Sequence, residues 1–268
     1  MALKQGAVFF ITGGARGIGG ATATLAVKAG HKVVIADKDF DAALAHANAL
    51  GDQARAIELD VTDAAQWDGA LAYATEQFGS VDVLVNNAGM MVPGYFLDAS
   101  PDQLKAMLDV NVYGAALGLH AATRLMLDQG HGHIITLGSM ASFVSLRGQC
   151  FYSASKHAVR SLVYGFEQEI KDTPVKLSLV HPAAVETNML AVQVGHEANA
   201  LSFAQPTLTP DKVAEKIIGL ANKPKREVVI PGSQNIPVRI LGVFPTLLNM
   251  ALSSQWKGGT KKRIERTK

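Results

Sequence analysis

The sequence predicts a doubly wound α/β fold of the Rossmann type, a seven-stranded parallel sheet with helices on both faces. Three observations predict it. Short apolar runs of strand length alternate with helical patterns from Ala7 to Ile230. The first run breaks at once into a glycine-rich turn, Thr12-Gly13-Gly14-Ala15-Arg16-Gly17-Ile18-Gly19, that opens a helix. The residues able to carry chemistry then recur at the ends of successive strands, where such sheets bind ligands. No linker or composition break divides the 268 residues, of which 48% are hydrophobic and 18% charged. Residues 1–235 read as the main unit, and 236–268 as an apolar extension with a basic tail belonging to the same domain.

The first strand, Ala7 to Ile11, feeds a helix of small residues that reaches Gly30, a good residue to follow a helix end. Gly13, Gly17 and Gly19 let the backbone turn sharply and approach a ligand. The helix behind them offers free N–H groups and a positive dipole end, which suit a pyrophosphate. The spacing Gly-x-x-x-Gly-x-Gly differs from the commoner Gly-x-Gly-x-x-Gly. A second strand, Lys32 to Ala36, ends at Asp37. A carboxylate there can accept hydrogen bonds from both ribose hydroxyls of an adenosine and would repel a 2′-phosphate. Arg16 and Lys38 pull toward NADP, but the carboxylate is the more direct discriminator, so NAD is the expected cofactor and NADP the alternative.

Ala54 to Leu59 is a third strand, followed by Asp60-Val61 and by Thr62 as the expected cap of a helix reaching about Phe78. Val81 to Val85 is a fourth, ending in Asn86-Asn87-Ala88-Gly89. Ser100-Pro101-Asp102-Gln103 is a capping box with proline at the first helical position. The helix it starts runs through Asn111, whose amide in mid-helix favours a bend or a function. His133 to Leu137 delivers Ser139, the Tyr152 helix follows, and Val175 to Val180 leads into His181-Pro182-Ala183-Ala184-Val185-Glu186-Thr187. Residues 188–208 lack clear periodicity, Thr209-Pro210-Asp211 opens another helix, and Glu227 to Ile230 is the last strand.

Tyr152 and Lys156, four apart, share one face of a helix. A phenol titrates near 10, and bringing it to about 7 requires roughly 4 kcal/mol of preference for the phenolate. A lysine cation at about 4 Å, at an effective dielectric near 20, supplies roughly that much before desolvation. The pair is therefore a plausible general acid/base, with Ser139 placed to hold a reacting oxygen.

With these motifs in order and spacing, the sequence resembles the short-chain dehydrogenase/reductase family over roughly residues 5–235. The resemblance implies a nicotinamide-dependent enzyme interconverting alcohols and ketones through Asn111, Ser139, Tyr152 and Lys156. Tyr152 would be the acid/base and Ser139 would orient the substrate oxygen. Lys156 would lower the phenol pKa and bind the nicotinamide ribose, and Asn111 would hold a water of the proton relay. The implied cofactor site comprises Gly13, Arg16, Gly17, Ile18, Gly19, Asp37, Asp60, Val61, Asn87, Ala88, Gly89, Pro182, Val185 and Thr187 along with Tyr152 and Lys156. Asp60 and Val61 would meet adenine; Val185 and Thr187 would meet the carboxamide. Ala183 departs from the family's usual glycine, and its methyl could crowd the nicotinamide.

The formal charge of +2 gives no general case for nucleic acid, although the last twelve residues carry +5 and leave about −3 on the rest. The single cysteine, Cys150, allows no internal disulfide and reads as a small buried filler. Ala7 to Ile11 is too short for a signal peptide, so a cytoplasmic protein is expected. The histidines show no metal-ligand spacing, and no metal is expected. Met90 to Pro93, Phe143 to Leu146, and Met189, Leu190, Val192, Val194, Leu201 and Phe203 would wall an apolar cleft. That suits a hydrophobic alcohol or ketone, steroid-like, polycyclic or long-chain. Arg147, His196 and Glu197 read as surface. Ile236, Ile240, Leu241, Phe244, Leu247 and Leu248 form an apolar stripe for which a flap, an oligomer contact and a membrane-surface anchor compete, the flap being favoured. Apolar residues on more than one face of the helices after Asn111 and around Tyr152 point to a homodimer or homotetramer.

Overall fold

In this computed structural model the described residues are 3–267. Seven strands form one parallel sheet: β1 (Val8–Thr12), β2 (Lys32–Asp37), β3 (Ala54–Glu58), β4 (Val83–Asn86), β5 (Gly132–Leu137), β6 (Val175–Pro182) and β7 (Glu227–Ile230). Their spatial order is β3-β2-β1-β4-β5-β6-β7. The order reverses between β1 and β4, so a crevice opens there beyond the carboxyl ends.

The strands are apolar on both faces because both faces are covered. On one side Phe10, Val34, Leu84 and Ile134 pack with Trp67, Leu119, Val159 and Val163. These come from α3 (Ala64–Phe78), α5 (Ala115–Gln129) and α6 (Cys150–Glu169). On the other side Phe9, Ile11, Val83 and Ile135 meet Ala23 and Ala26 of α1 (Gly17–Lys28), Ala43 of α2 (Phe40–Leu50) and the later Val213 and Ile217.

Local signals set the helix ends. Ser100 and Gln103 close the expected capping box on α4 (Pro101–Leu108). Asp63, not Thr62, caps α3, because the Thr62 hydroxyl and N–H both turn back to Asp60 Oδ1 at 2.7 and 3.0 Å. Between α4 and α5 the chain winds into a π-helical stretch, Asp109–Gly114, centred near Asn111. An inserted turn of this kind re-aims a side chain and is found mostly at functional sites. The aperiodic segment becomes α7 (Asn188–Ala191) and a 3₁₀ stretch, Glu197–Phe203. Thr209 then caps α8 (Pro210–Asn222), the helix that carries Val213 and Ile217.

The C-terminal extension forms α9 (Asn235–Val243) and α10 (Pro245–Glu265). It packs through Val238 and Leu248 on Phe143, Val144 and Val229, a third apolar cluster. The expected stripe needs correction. Leu248 is buried and Leu241 packs against the cluster, but Ile236, Ile240, Phe244 and Leu247 face outward. Periodicity defined a face without saying that the covered side is offset toward Val238. The basic end is not simply solvated either: Lys262 and Arg263 donate to the Ala204 and Val194 carbonyls at 3.0 and 2.8 Å, and Arg266 pairs with Glu186 at 3.0 Å. Among the described residues, no helix is long and apolar enough to cross a membrane.

Gly259 lets α10 approach the 3₁₀ stretch, since a Cβ there would collide with the Ala200 carbonyl oxygen. Gly259→Val should therefore lever α10 away. Trypsin cleavage at Lys257 and Lys261 should accelerate at least about tenfold, the change expected if overpacking costs 1.4 kcal/mol or more. Timed digestion followed by mass measurement checks it.

Candidate active site

The glycine turn begins the site. Gly13 and Gly17 adopt left-handed conformations, with φ of +61° and +58°. A Cβ on Gly13 would come within 3.1 Å of Asn87 Nδ2, and one on Gly17 within 3.3 Å of Thr187 Cγ2. Gly19 serves packing, because a Cβ there would strike the Gly13 carbonyl. The N-terminus of α1 has no side-chain cap and no acidic residue in its first turn. Its free N–H groups point to the crevice end and fit a phosphate.

Asn87 and Thr12 lock β1 to β4 here. The Asn87 and Ala88 N–H groups both donate to Thr12 Oγ1 at 3.0 Å, and Asn87 Nδ2 donates to the Thr12 carbonyl at 2.9 Å. On the β2 side, Asp37 accepts from the Ala15 and Asp39 N–H groups at 3.0 and 3.1 Å. The two cations weighed against it are both paired. Arg16 meets Asp39 at 2.7 Å, and Lys38 meets Asp60 at 2.6 Å. The Lys38 ammonium and the Thr62 donors hold the Asp60 carboxyl at about 2.

Ser139, Tyr152 and Lys156 converge at the end of β5. Ser139 Oγ accepts from the Ala141 N–H at 3.1 Å, and its hydroxyl acts to lower the Tyr152 pKa. Lys156 is buried and donates to the Leu137 carbonyl at 3.0 Å. Asn111 is pinned from three directions. Its Nδ2 donates to the Met90 carbonyl at 2.9 Å and to Ser155 Oγ at 3.0 Å, while its Oδ1 accepts from the Met90 N–H at 2.8 Å. Gly89 lies between, since a Cβ there would be 3.3 Å from Asn111 Oδ1 and 3.6 Å from Lys156 Nζ.

The electrostatics correct the argument from spacing. Burial raises the Tyr152 pKa and the Ser139 hydrogen bond only partly offsets it. Burial lowers Lys156 to about 8. Lys156 Nζ sits 5.8 Å from the Tyr152 ring centroid and is turned to the Leu137 carbonyl. Desolvation therefore wins in the free protein, and the phenol is held protonated at neutral pH.

A cavity of about 400 Å³ joins these residues. Gly13, Arg16, Gly17, Ile18, Asn87, Ala88, Gly89, Ser139, Tyr152, Lys156, Pro182, Val185 and Thr187 all line it. Gly19, Asp37, Asp60, Val61 and Asn111 stand behind or beside it. Of the expected apolar wall, Met91, Val144, Leu146, Met189, Leu190 and Leu201 line the cavity, joined by Val238, Leu241, Leu248 and Leu252 from α9 and α10. The Ala183 methyl also faces it, on backbone tied to the Ile230 carbonyl at 2.8 Å. Cys150 is exposed rather than a buried filler, because the inward face of α6 runs through Ser153, Lys156, Val159 and Val163.

Sequence reasoning passed over one support of Ser139. His181, fully buried, places Nδ1 3.0 Å from the Ser139 carbonyl and Nε2 3.0 Å from Glu227 Oε1. Glu227 also takes Arg160 at 2.8 Å and a close contact from Arg239 of α9. Burial pushes His181 below its ordinary value, and the Glu227 carboxylate offsets this only in part. Burial works to raise the Glu227 carboxyl, but hydrogen bonds with His181, Arg160 and Tyr164 hold it far below the usual range.

The comparisons agree with this geometry. The family model described as short chain dehydrogenase matches residues 7–198, and the chain belongs to that family of oxidoreductases acting on CH–OH groups. An uncharacterized oxidoreductase of Staphylococcus aureus (strain N315) is 32% identical over 216 residues, covering 80% of this chain and 90% of that protein. A 3-alpha-(or 20-beta)-hydroxysteroid dehydrogenase of Mycobacterium bovis is 36% identical over 184 residues, 69% of this chain and 71% of that one. Among solved structures, a short chain dehydrogenase/reductase from Burkholderia phymatum in complex with NAD superposes with a TM-score of 0.82 at 26% identity, covering 91% of this chain and 95% of its own. A 3-ketoacyl-(acyl-carrier-protein) reductase from Brucella melitensis complexed with NADH gives 0.78 at 27% identity, covering 86% and 98%.

Glu227→Gln should destabilise the fold by about 3 kcal/mol at pH 7, since it strips a buried charge from two arginines. The native carboxyl titrates below its unfolded value, so its contribution is complete above about pH 4.3 and declines as the solution is made more acid than that. Urea unfolding of both proteins at pH 7 and pH 3 checks it; the gap should shrink at pH 3.

Proposed function

We propose that the protein is an NAD-dependent oxidoreductase interconverting a neutral, hydrophobic secondary alcohol and its ketone. One observation carries this reading: the cavity runs from the glycine turn past Ser139, Tyr152 and Lys156 to a mostly apolar wall, and among the described residues that line it there is no carboxylate and the only cations are Arg16 and Lys156. Arg16 is paired with Asp39 and Lys156 lies at the reacting end, so a carboxylate or phosphate on the substrate would find no counter-ion at the far wall. The steroid-acting relative and the NAD- and NADH-bound structures support the same substrate class and cofactor.

When bound, the nicotinamide dinucleotide supplies or takes up the hydride. The α1 N-terminus and the turn at Gly13 and Gly17 would hold its pyrophosphate, Asp37 its adenosine ribose, and Val185 and Thr187 its carboxamide. Ser139 and Tyr152 would grip the substrate oxygen between two hydroxyls. In alcohol oxidation Tyr152 accepts the hydroxyl proton; in ketone reduction it donates one. Lys156 stabilises the phenolate form as positive charge gathers in the closed cleft. Asn111, fixed at Met90 and Ser155, would aim its backbone at a water that relays the proton outward. The exposed Leu108 and Tyr113 before α5, and Leu127 within it, support association of copies.

Tyr152→Phe should lower turnover by roughly 10²–10⁴-fold, the range for loss of an acid/base, while NADH affinity stays within about threefold. Reduced-nicotinamide absorbance on a panel of cyclic ketones, with fluorescence titration of NADH, separates the two effects. Wild-type turnover in that variant would refute the role of Tyr152.

Asp37→Ala should narrow the preference for NAD over NADP by about tenfold or more, through loss of repulsion at the 2′-phosphate. Ratios of kcat/KM for the two cofactors test this. A native preference for NADP would mean that Arg16 and Lys38 leave their carboxylate partners and govern the site.

A further inference from the structure

The cavity wall contains a polar relay of fixed direction. Gln193 Nε2 donates to the Met189 carbonyl at 2.8 Å. A backbone carbonyl only accepts, so this end of the Gln193 amide is its nitrogen and the other end its oxygen. Ser202 Oγ lies 2.6 Å from Gln193 Oε1 and must donate to it. Its single proton is thereby engaged, and Ser202 can only accept from Gln149, 2.5 Å away. Gln149 must then present Nε2 to Ser202, which leaves Oε1 facing away from the relay. That oxygen has no hydrogen-bond partner among the described residues, although Gln149 is 8% exposed and lines the cavity three residues before Tyr152.

The relay is rigidly held. Gln193 is 5% exposed, and Asn199, wholly buried, donates to the Gly148 carbonyl at 3.1 Å. Gly148 itself has φ +74°, and a Cβ there would strike the Ala198 carbonyl, so the Gln149 turn and the 3₁₀ stretch meet backbone to backbone. An oriented amide oxygen on a cavity wall gives up its access to water once a substrate fills the cavity, and an acceptor left unpaired there is costly.

We propose that Gln149 Oε1 is the acceptor of a second substrate subsite, one that selects a ketone or alcohol bearing an additional hydroxyl remote from the reacting carbon. This rests on the reading of the cavity as a substrate cleft and adds to it a specific chemistry: a neutral, ring-sized skeleton with a hydrogen-bond donor at its far end. An apolar skeleton alone would leave the amide oxygen desolvated and unpaired. A carboxylate at the same place would set acceptor against acceptor.

Three probes that differ only at that end test it: 2-decalone, 6-hydroxy-2-decalone and 6-methoxy-2-decalone, the last keeping an oxygen but no donor. In NADH-driven reduction the wild type should favour the hydroxyketone over each of the other two by about tenfold in kcat/KM, the value of one net hydrogen bond at a buried acceptor. Gln149→Leu should bring both ratios close to one. Ser202→Ala, which frees the amide to turn its nitrogen inward, should reduce the hydroxy-to-methoxy ratio in particular. Wild-type ratios near one, or ratios that survive Gln149→Leu, would overturn the subsite. Calorimetric binding of the same ketones to the NADH-saturated protein requires no turnover. A tenfold binding preference erased by Gln149→Leu upholds the subsite even if none is reduced, in which case the proposed reaction alone fails. Equal binding of all three refutes the subsite directly.

Discussion

The site depends on the join between β1 and β4. A parallel sheet whose strand order reverses there would splay at its carboxyl edge unless something holds the two strands together. Thr12 does so with one hydroxyl, accepting from two successive N–H groups of the β4 loop at 3.0 Å. Asn87 completes the tie by donating its amide to the Thr12 and Gly13 carbonyls at 2.9 and 3.1 Å. The loop cannot form ladder hydrogen bonds once the strands diverge, so side chains must satisfy its backbone. The glycine turn and Gly89 take their positions from this tie. Gly89 in turn brings Asn111 and Lys156 close together, which is why the π-helical insertion at Asp109–Gly114 lies where it does.

Much of this was legible in the sequence because it is local. Strand ends agreed to within about two residues, since runs such as Phe9-Phe10-Ile11 are apolar on both faces and stop at glycine, asparagine or aspartate. The Ser100 capping box and the Thr209 cap were readable because a cap is decided by three or four adjacent residues. Thr62 was misread for an equally local reason: its hydroxyl had a better partner two residues back in Asp60. The grouping of Ser139, Tyr152 and Lys156 followed from helical spacing, but their protonation did not. Spacing gives distance along one helix, whereas desolvation depends on every element closing over the cleft.

What spacing could not reveal lies in contacts distant in the chain. Glu227 meets Arg160 across 67 positions, and Gln149 meets Ser202 across 53. Neither residue belongs to a motif, and both sit among ordinary neighbours. The C-terminal stripe failed differently. A 3.6-residue period identifies an apolar face, but α9 and α10 are apolar on two sides, and only packing against Phe143 decides which is covered. Gly242 carries that information: a Cβ there would strike the Phe143 carbonyl, so the helix can approach only along the side where this residue is glycine.

These distant contacts share a purpose. Ser139 sits just beyond the end of β5, where the ladder no longer fixes it. Its carbonyl is held instead by His181, and His181 by Glu227, which also binds Arg160 of α6 and Arg239 of α9. Both partners only accept, so the neutral ring donates to one of them at a time, and burial favours that neutral form. Phe143 packs edge-on against His181 at 4.7 Å and lies beneath both guanidinium groups, at 4.4 and 5.1 Å, excluding water from the cluster. Ser139, the Tyr152 helix and the α9 helix that lines the cavity therefore share one buried carboxylate.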